Sequence, residues 1–552
     1  MTSEIQEYKT ADASAHKADD LDMIIVGAGV AGLYTLHRAR TMGLSVRLYD
    51  AADGVGGTWY WNRYPGARVD IESVEYSYSF SEELQQEWSW TERYASQPEL
   101  LRYLNHVADR FDLRRDIQLE TRVESAVFDE SLEKWIIHTS RGERVSAQFC
   151  VMATGCLSAP KKIDIKGIDA FQGSKYYTSR WPHESVDFTG KRVGIVGTGS
   201  SAIQSIPIIA KQAEHLTVFQ RSANFSVPLR NQPIDPEYEK TVKESYADWR
   251  RRELDTFGGF VAVDGVPMEP NMKSALAATP EERQREYEFR WAAGGLCLYT
   301  SYADLLVSPE ANDTLAAFVR AKLREKIDDP AVADILIPTG YPIMTKRLCA
   351  DTNYYETYNR DNVILIDLKQ SPIEEITSHG VLAGGVEHKL DALIFATGFD
   401  AVTGALSNID IRGQKGVPLK QKWSHGPITY LGLMTSDFPN LFNVAGPGST
   451  ASLTSAIQCD EHQIGLVFEC IQHVKKAKRT SIQPTVDAEN TWTQHIHDTA
   501  NKTLFPLANS WYVGANVPGK PRTVLLDLGG FNAYIKKCDE VMKNDFEGFV
   551  VA

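Results

Sequence analysis

The sequence predicts an α/β fold: two Rossmann-like units in one chain, with a helical insertion in the second. Three observations predict it. A short apolar strand, Asp22-Met-Ile-Ile-Val26, runs directly into a glycine loop, Gly27-Ala-Gly-Val-Ala-Gly32. The arrangement recurs at Arg192-Val-Gly-Ile-Val196 and Gly197-Thr-Gly-Ser-Ser-Ala202. Between about 235 and 326 the strand-like runs thin out and Glu, Arg, Lys, Ala and Leu dominate.

Each glycine loop leads into helix-compatible sequence and then a second apolar strand, Ser45 to Tyr49 in the first unit and Leu216 to Phe219 in the second. Continuous apolar runs of this length suit parallel strands buried on both faces. Within the insertion, Thr279-Pro280 followed by acids predicts a helix start. Strand texture returns at Asn362 to Asp367 and at Leu390 to Ala396. A chain of 552 residues exceeds what one core serves, so several units are expected. Residues 1–20 are polar, charged and without an apolar core, and are expected to be a disordered leader. Residues 21–160 should form the first part of one nucleotide unit. Residues 161–390 should form the second unit, with the insertion at about 231–335, and residues 391–552 should return to the first.

Composition excludes several classes of function. A net charge of -14 argues against a nucleic-acid partner, which needs a basic surface. The one basic run, Lys475, Lys476, Lys478 and Arg479, reads as the solvated end of a helix. No run of eighteen apolar residues is present, so no membrane span is expected. The seven cysteines, at 150, 156, 297, 349, 459, 470 and 538, show neither a disulfide frame nor zinc-ligand spacing. That usage fits the cytoplasm.

The loops themselves carry chemistry. In G-x-G-x-x-G the first glycine, Gly27, permits a tight turn, Gly29 lets the backbone approach a pyrophosphate, and Gly32 lets helix pack on strand. The helix start then offers free N–H groups and partial positive charge to the anion. The residues at the end of the second strand separate the two ligands. Asp50 can accept hydrogen bonds from ribose hydroxyls, which suits FAD or NAD. The second unit reads Val218-Phe219-Gln220-Arg221, and an arginine can pair with a 2′-phosphate that an acid would repel. The pair expected is therefore FAD and NADPH. A disulfide reductase also pairs FAD with a pyridine nucleotide, but Cys150 and Cys156 lack the spacing of a redox couple.

Longer motifs carry a family resemblance. Gly56-Gly-Thr-Trp-Tyr-Trp-Asn-Arg-Tyr-Pro-Gly-Ala-Arg-Val-Asp70 matches a long motif of the single-component, FAD-containing Baeyer–Villiger monooxygenases. Phe171-Gln-Gly173 with Trp181-Pro-His183 matches their fingerprint, and Ala153-Thr-Gly155 and Ala396-Thr-Gly-Phe-Asp400 resemble their crossings between FAD and NADPH domains. The resemblance runs from about Leu21 to Phe549. It is strongest to the phenylacetone monooxygenase branch, with the cyclohexanone monooxygenases a step further away. The chain departs from the fingerprint at Tyr177, where the family has a histidine thought to couple cofactor binding to domain movement.

The resemblance implies a reaction and assigns roles. NADPH would reduce FAD, O2 would add to the reduced flavin as a peroxide, and a ketone would become an ester or lactone, with sulfoxidation as a side activity. Arg347, in Met344-Thr-Lys-Arg-Leu348, matches the catalytic arginine and Asp70 its orienting partner. Contact with FAD falls to Gly27, Gly29, Gly32, Asp50, Gly57, Thr58, Trp59, Asp70 and Tyr76. Contact with NADPH falls to Gly197, Thr198, Gly199, Ser200, Arg221, Ser222, Lys346 and Trp511. Gly446-Pro-Gly-Ser-Thr-Ala-Ser-Leu453 matches a loop bordering the substrate, and its length resembles the phenylacetone type. The expected working form is a monomer. A nitrogen- or sulfur-oxidising flavin monooxygenase is the alternative; that group shares the glycine loops but not the long motif.

Overall fold

The computed structural model describes residues 20–552. The leader expected over residues 1–20 lies outside the described residues, except that Asp20 already begins a strand. The first sheet is built from β1 (Asp20–Val26), β2 (Val46–Tyr49), β3 (Ile117–Gln118), β4 (Val123–Asp129), β5 (Lys134–Thr139) and β6 (Arg144–Met152), with helix α1 (Val30–Thr41) after β1. β1 is parallel to both β2 and β6, and Ile25 stands opposite Leu48 on one side and Val151 on the other. Period-two alternation splits the core. Met23, Ile25, Phe149 and Val151 face one hydrophobic cluster, and Ile24, Val26, Cys150 and Met152 face another.

The second sheet is wholly parallel. Its strands are β7 (Ser174–Tyr177), β8 (Arg192–Val196), β9 (His215–Gln220), β10 (Val363–Asp367) and β11 (Ala392–Phe395), in the order β10-β9-β8-β11-β7. Helix α2 (Ser200–Gln212) comes after β8. Because β11 pairs with both β8 and β7, the chain leaves this sheet after Phe395 rather than after residue 390. It then returns to the first sheet. There β12 (Asp410–Arg412) pairs with β4, and β13 (Leu441–Asn443) pairs with the far half of β6.

Between β9 and β10 lies the insertion. Its helices at Pro236–Glu244, Pro280–Ala293, Pro309–Arg324 and Pro330–Leu336 all begin with proline at the first position. In each, the preceding Asp235, Thr279, Ser308 or Asp329 caps the helix by accepting a backbone N–H. Thr279 and Glu282 form the full capping box. The insertion also holds a small hairpin, Ala262–Val263 with Val266–Pro267. The basic run ends the 22-residue helix α3 (Ala456–Ala477), which Lys478 closes in the left-handed conformation. Among the described residues no helix is long and apolar enough to cross a membrane.

Candidate active site

The two glycine loops have the same construction. The N–H of Gly27 donates to the Tyr49 carbonyl at 2.8 Å, and that of Gly197 to the Phe219 carbonyl at 3.0 Å. Both glycines have φ near +110°, in the region where side chains are rarely accommodated. A Cβ on Gly27 would lie 2.4 Å from the Ala153 carbonyl oxygen, and one on Gly197 2.5 Å from that of Ala396. Each crossing segment thus presses on the first glycine of one loop, which joins the crossings to the sites by direct backbone contact.

At the first loop, Gly29 caps α1 without a side-chain bond, and no acid occupies the first turn. The helix start therefore keeps its N–H groups and partial positive charge for an anion. Gly57, at φ +53°, faces Gly29: a Cβ on Gly57 would come 2.7 Å from the Gly29 Cα. Thr58 stands exposed beside them, at the head of the short helix Thr58–Trp61. Asp50 accepts the Ala28 N–H at 2.6 Å and the Ala52 N–H at 2.8 Å. Burial raises its pKa, and these two backbone donors oppose the shift. Asp50 thus braces the loop as well as reaching the strand end where a ribose would lie. Trp59 donates from Nε1 to the Tyr76 hydroxyl at 3.2 Å, and the two rings meet edge to face at 5.9 Å.

The residues present fit FAD. On the returning segment, Asn443 Nδ2 and Oδ1, Ser455 Oγ and Gln458 Nε2 are buried without a partner among the described residues. Buried polar groups left this way are costly unless a ligand or water completes them. A polar cofactor lying across the returning segment would complete them.

At the second loop, Gly199 caps α2, again without a side-chain bond or an acid in the first turn, and a Cβ there would meet nothing within 4 Å. Thr198 donates to the Ser222 carbonyl at 2.9 Å, and Ser200 Oγ lies 3.1 Å from Cys349 Sγ. Arg221 comes directly after β9 and is exposed. Lys346 sits with Nζ 4.1 Å from the Tyr341 ring centroid, and its pKa is lowered by burial, then by the charges of Arg221 and Lys369. Neither Arg221 nor Lys346 has an ion-pair partner among the described residues. This uncompensated positive charge beside an uncapped helix start fits the 2′-phosphate and pyrophosphate of NADPH.

The long motif lies between the two units. Tyr64 donates to Gln204 Oε1 at 2.8 Å, and Gln204 Nε2 donates to the Arg68 carbonyl at 3.1 Å, so the motif docks on α2. Gly66 must be glycine there, since a Cβ would lie 2.4 Å from the Gln204 carbonyl oxygen. At the motif's end Asp70 meets Arg347, 277 residues away in sequence. Nε and Nη2 of Arg347 grip the carboxylate at 3.0 and 2.8 Å. Burial works against the guanidinium's charge, but Asp70, Tyr512 and Tyr299 outweigh it, and its pKa rises above the ordinary value. Arg347 therefore stays a cation at any working pH.

The structure thus brings Asp70 to Arg347 and Arg221 to Lys346. Trp511 packs on Tyr512 at 4.1 Å between ring centroids, and Tyr512 in turn acts on the Arg347 charge. Sequence reasoning passes over Tyr299, Tyr512 and Lys161. The Tyr299 hydroxyl accepts the Leu348 N–H at 3.2 Å and so holds the segment carrying Arg347. Nothing local in sequence marks these residues. Tyr177 ends β7 opposite Phe395, with the rings stacked at 5.3 Å. Cys150 is buried, and burial pushes its thiol up to about 12, which removes it as a redox nucleophile.

Comparison with known proteins agrees with this geometry. The family model described as "Pyridine nucleotide-disulphide oxidoreductase" matches residues 24–256. A Baeyer-Villiger monooxygenase of Pseudooceanicola batsensis is 42% identical over 100% of this chain and 98% of its own. Acetone monooxygenase (methyl acetate-forming) of Gordonia sp. is 42% identical over 96% of this chain and 99% of its own. Phenazine N-monooxygenase of Lysobacter antibioticus is 42% identical over 96% and 97%. Among solved structures, an oxidized steroid monooxygenase bound to NADP is 48% identical with a TM-score of 0.91, covering 96% of this chain and 99% of that one. The OTEMO complex with FAD and NADP is 40% identical with a TM-score of 0.93, covering 97% and 100%. Full-length identity at this level, on a fold with two nucleotide loops and one arginine–aspartate pair between them, makes this chain a member of the Baeyer–Villiger monooxygenases, FAD- and NADPH-dependent enzymes that convert ketones to esters or lactones.

Proposed function

We propose that Arg347, held by Asp70, is the cation that stabilises negative charge during oxygen insertion, and that O2 is the oxygen source. The observation that carries this reading is the forked Arg347–Asp70 pair at the join of the two units. FAD and NADPH, held at the two glycine loops, would supply the redox chemistry of the reaction. The protein's own residues orient, neutralise and exclude water. A guanidinium fixed by a carboxylate needs no reorganisation when negative charge develops on the ketone oxygen, which is where such a donor acts most strongly.

The cofactor residues divide by construction. The Gly27–Gly32 loop and α1 would take the FAD pyrophosphate, the remaining lone pairs of Asp50 a ribose, and Gly57, Thr58, Trp59 and Tyr76 the side of the ring system. Gly197, Thr198, Gly199 and Ser200 would take the NADPH pyrophosphate, with Arg221, Ser222 and Lys346 around its 2′-phosphate. Trp511 would wall the nicotinamide side. The loop from Gly446 to Leu453 supports placement in the phenylacetone branch, with sulfoxidation as a side activity.

A panel of linear, cyclic and aryl ketones with NADPH and 18O2, read by product mass, tests the reading: one labelled oxygen should enter each ester or lactone. The likeness to a phenazine N-monooxygenase favours one second reading, oxidation of a ring nitrogen. Including an aromatic N-heterocycle and a thioether in the panel separates them, and N-oxide without any ester would replace the ketone reading with that one.

A further inference from the structure

Lys161 lies where the chain crosses from the first unit to the second. Pro160 bridges Phe399 of the other crossing, and the Lys161 N–H donates to the Gly398 carbonyl at 3.2 Å. Gly398 has φ +78°, and the Lys161 stem passes at ordinary contact distance, 4.0 Å from where its Cβ would be. At the tip, Nζ donates to the Asn516 carbonyl at 3.5 Å. Asn516 donates from Nδ2 to the Phe399 carbonyl at 2.8 Å, while its Oδ1 is buried without a partner among the described residues. Further along, Lys520 pairs with Asp400 at 2.6 Å and donates to the Ala401 carbonyl at 2.9 Å. The loop 511–520, which carries Trp511, therefore hangs from both crossings.

Lys161 is half-buried and has no carboxylate partner among the described residues. Its pKa is lowered by burial and then by the like charge of Arg221. Arg221 acts in the same sense on Lys346. Lys161 is bonded to Gly398, two residues beyond the Ala396 carbonyl that faces Gly197 of the second loop, so Lys161 and Lys346 both stand near Arg221, with none of the three in an ion pair among the described residues. A dianion would convert this repulsion into attraction. The Lys161 ammonium has three donors and spends one on a long carbonyl contact, so two remain for such an anion while that contact is kept.

We propose that Lys161 is a third cation for the 2′-phosphate of NADPH, and that its contact with Asn516 passes the presence of that phosphate to the loop carrying Trp511. This rests on the reading of Arg221 and Lys346 as 2′-phosphate ligands. It adds to that reading a positioning role: the phosphate, remote from the chemistry, would influence where Trp511 stands.

The test uses the full-length, FAD-loaded protein. Calorimetric titration with 2′,5′-ADP and with 5′-ADP gives the preference for the 2′-phosphate, and hydrogen exchange of the 511–520 peptide at saturating ligand reads the loop. The wild type should prefer 2′,5′-ADP, and only that ligand should protect the loop. Lys161→Gln should reduce the preference about tenfold, the low end of a charge-assisted contact, and abolish the extra protection. Lys161→Arg should restore most of both. Full FAD content in each variant guards against loss of fold, and Lys161→Met provides a second uncharged replacement. If Lys161→Gln and Lys161→Met keep the wild-type preference while Arg221→Ala loses it, the inference is wrong and the reading beneath it stands. If Arg221→Ala also keeps the preference, the 2′-phosphate reading fails and the inference with it. Lost preference with unchanged loop protection would overturn the coupling to Trp511.

Discussion

Replacing Arg347 by alanine separates two meanings of the same ion pair. The side chains of Arg347 and Asp70 are 21% and 29% exposed, with N–O distances of 2.8 to 3.0 Å. If the pair only braces the fold, its loss lowers stability, and the variant should make ester at nearly the wild-type rate per folded, FAD-loaded molecule. If Arg347 holds developing negative charge, its loss costs about 2.7–4 kcal/mol, a hundred- to thousandfold in turnover. The two readings differ in what they move: stability in the first, turnover per FAD-loaded molecule in the second. The assay has three readings on one sample: the flavin spectrum for FAD content, bleaching by NADPH under nitrogen for reduction, and product mass after admitting O2. The expected result is normal FAD, reduction still occurring, and ester down at least a hundredfold while hydrogen peroxide accumulates. Arg347→Lys should fall between, since it keeps the charge but loses the planar fork that grips Asp70. Ester yield within a fewfold of wild type in Arg347→Ala would refute the reasoning and leave the pair a structural one.

Further outcomes are expected elsewhere. Gly32→Ala should lower the melting temperature and FAD content together, because its Cβ would lie 1.8 Å from the Gly27 carbonyl oxygen. Gly199→Ala should keep its melting temperature yet raise the NADPH KM, since its Cβ enters open space at the head of α2; an unchanged KM would remove the pyrophosphate from that loop. Burial, reinforced by Glu461, raises Asp460 from 3.8 to about 8, so the native state keeps a proton that the unfolded chain releases. That contribution to stability is complete below pH 3.8 and declines as pH rises to about 8. Asp460→Asn should therefore gain on the wild type by up to about 1.4 kcal/mol per pH unit over that window, and parallel melting curves from pH 5 to 8 would contradict it. Tyr177→His should leave FAD content unchanged and reduce hydrogen peroxide leakage per NADPH consumed. A leakier variant would mean that the Tyr177–Phe395 stack, worth about 0.5–1.5 kcal/mol, suits this chain better than the imidazole.

Both nucleotide loops, the strands that feed them, the acid at Asp50, the arginine at Arg221 and the proline-headed helix start at Thr279-Pro280 are legible in the amino-acid order alone. Each is a local demand on the backbone. A glycine at φ near +110°, an uncapped helix start and an alternating strand are written in consecutive residues. Tertiary folding settles what those pieces meet. It brings Asp70 to Arg347 across 277 residues, and it sets Gly27 against Ala153 and Gly197 against Ala396. It also places Lys161 beside Gly398 and ties the 511–520 loop to both crossings. No local pattern marks Lys161, Tyr299, Tyr512 or Asp460, because a lysine, tyrosine or aspartate carries no record of its distant neighbours. The β11 strand shows the same division: its apolar run is readable, but its place between β8 and β7 comes from parallel pairing. Charge and burial act through space, so the electrostatics of the site exists only once the two crossings have folded the chain back on itself.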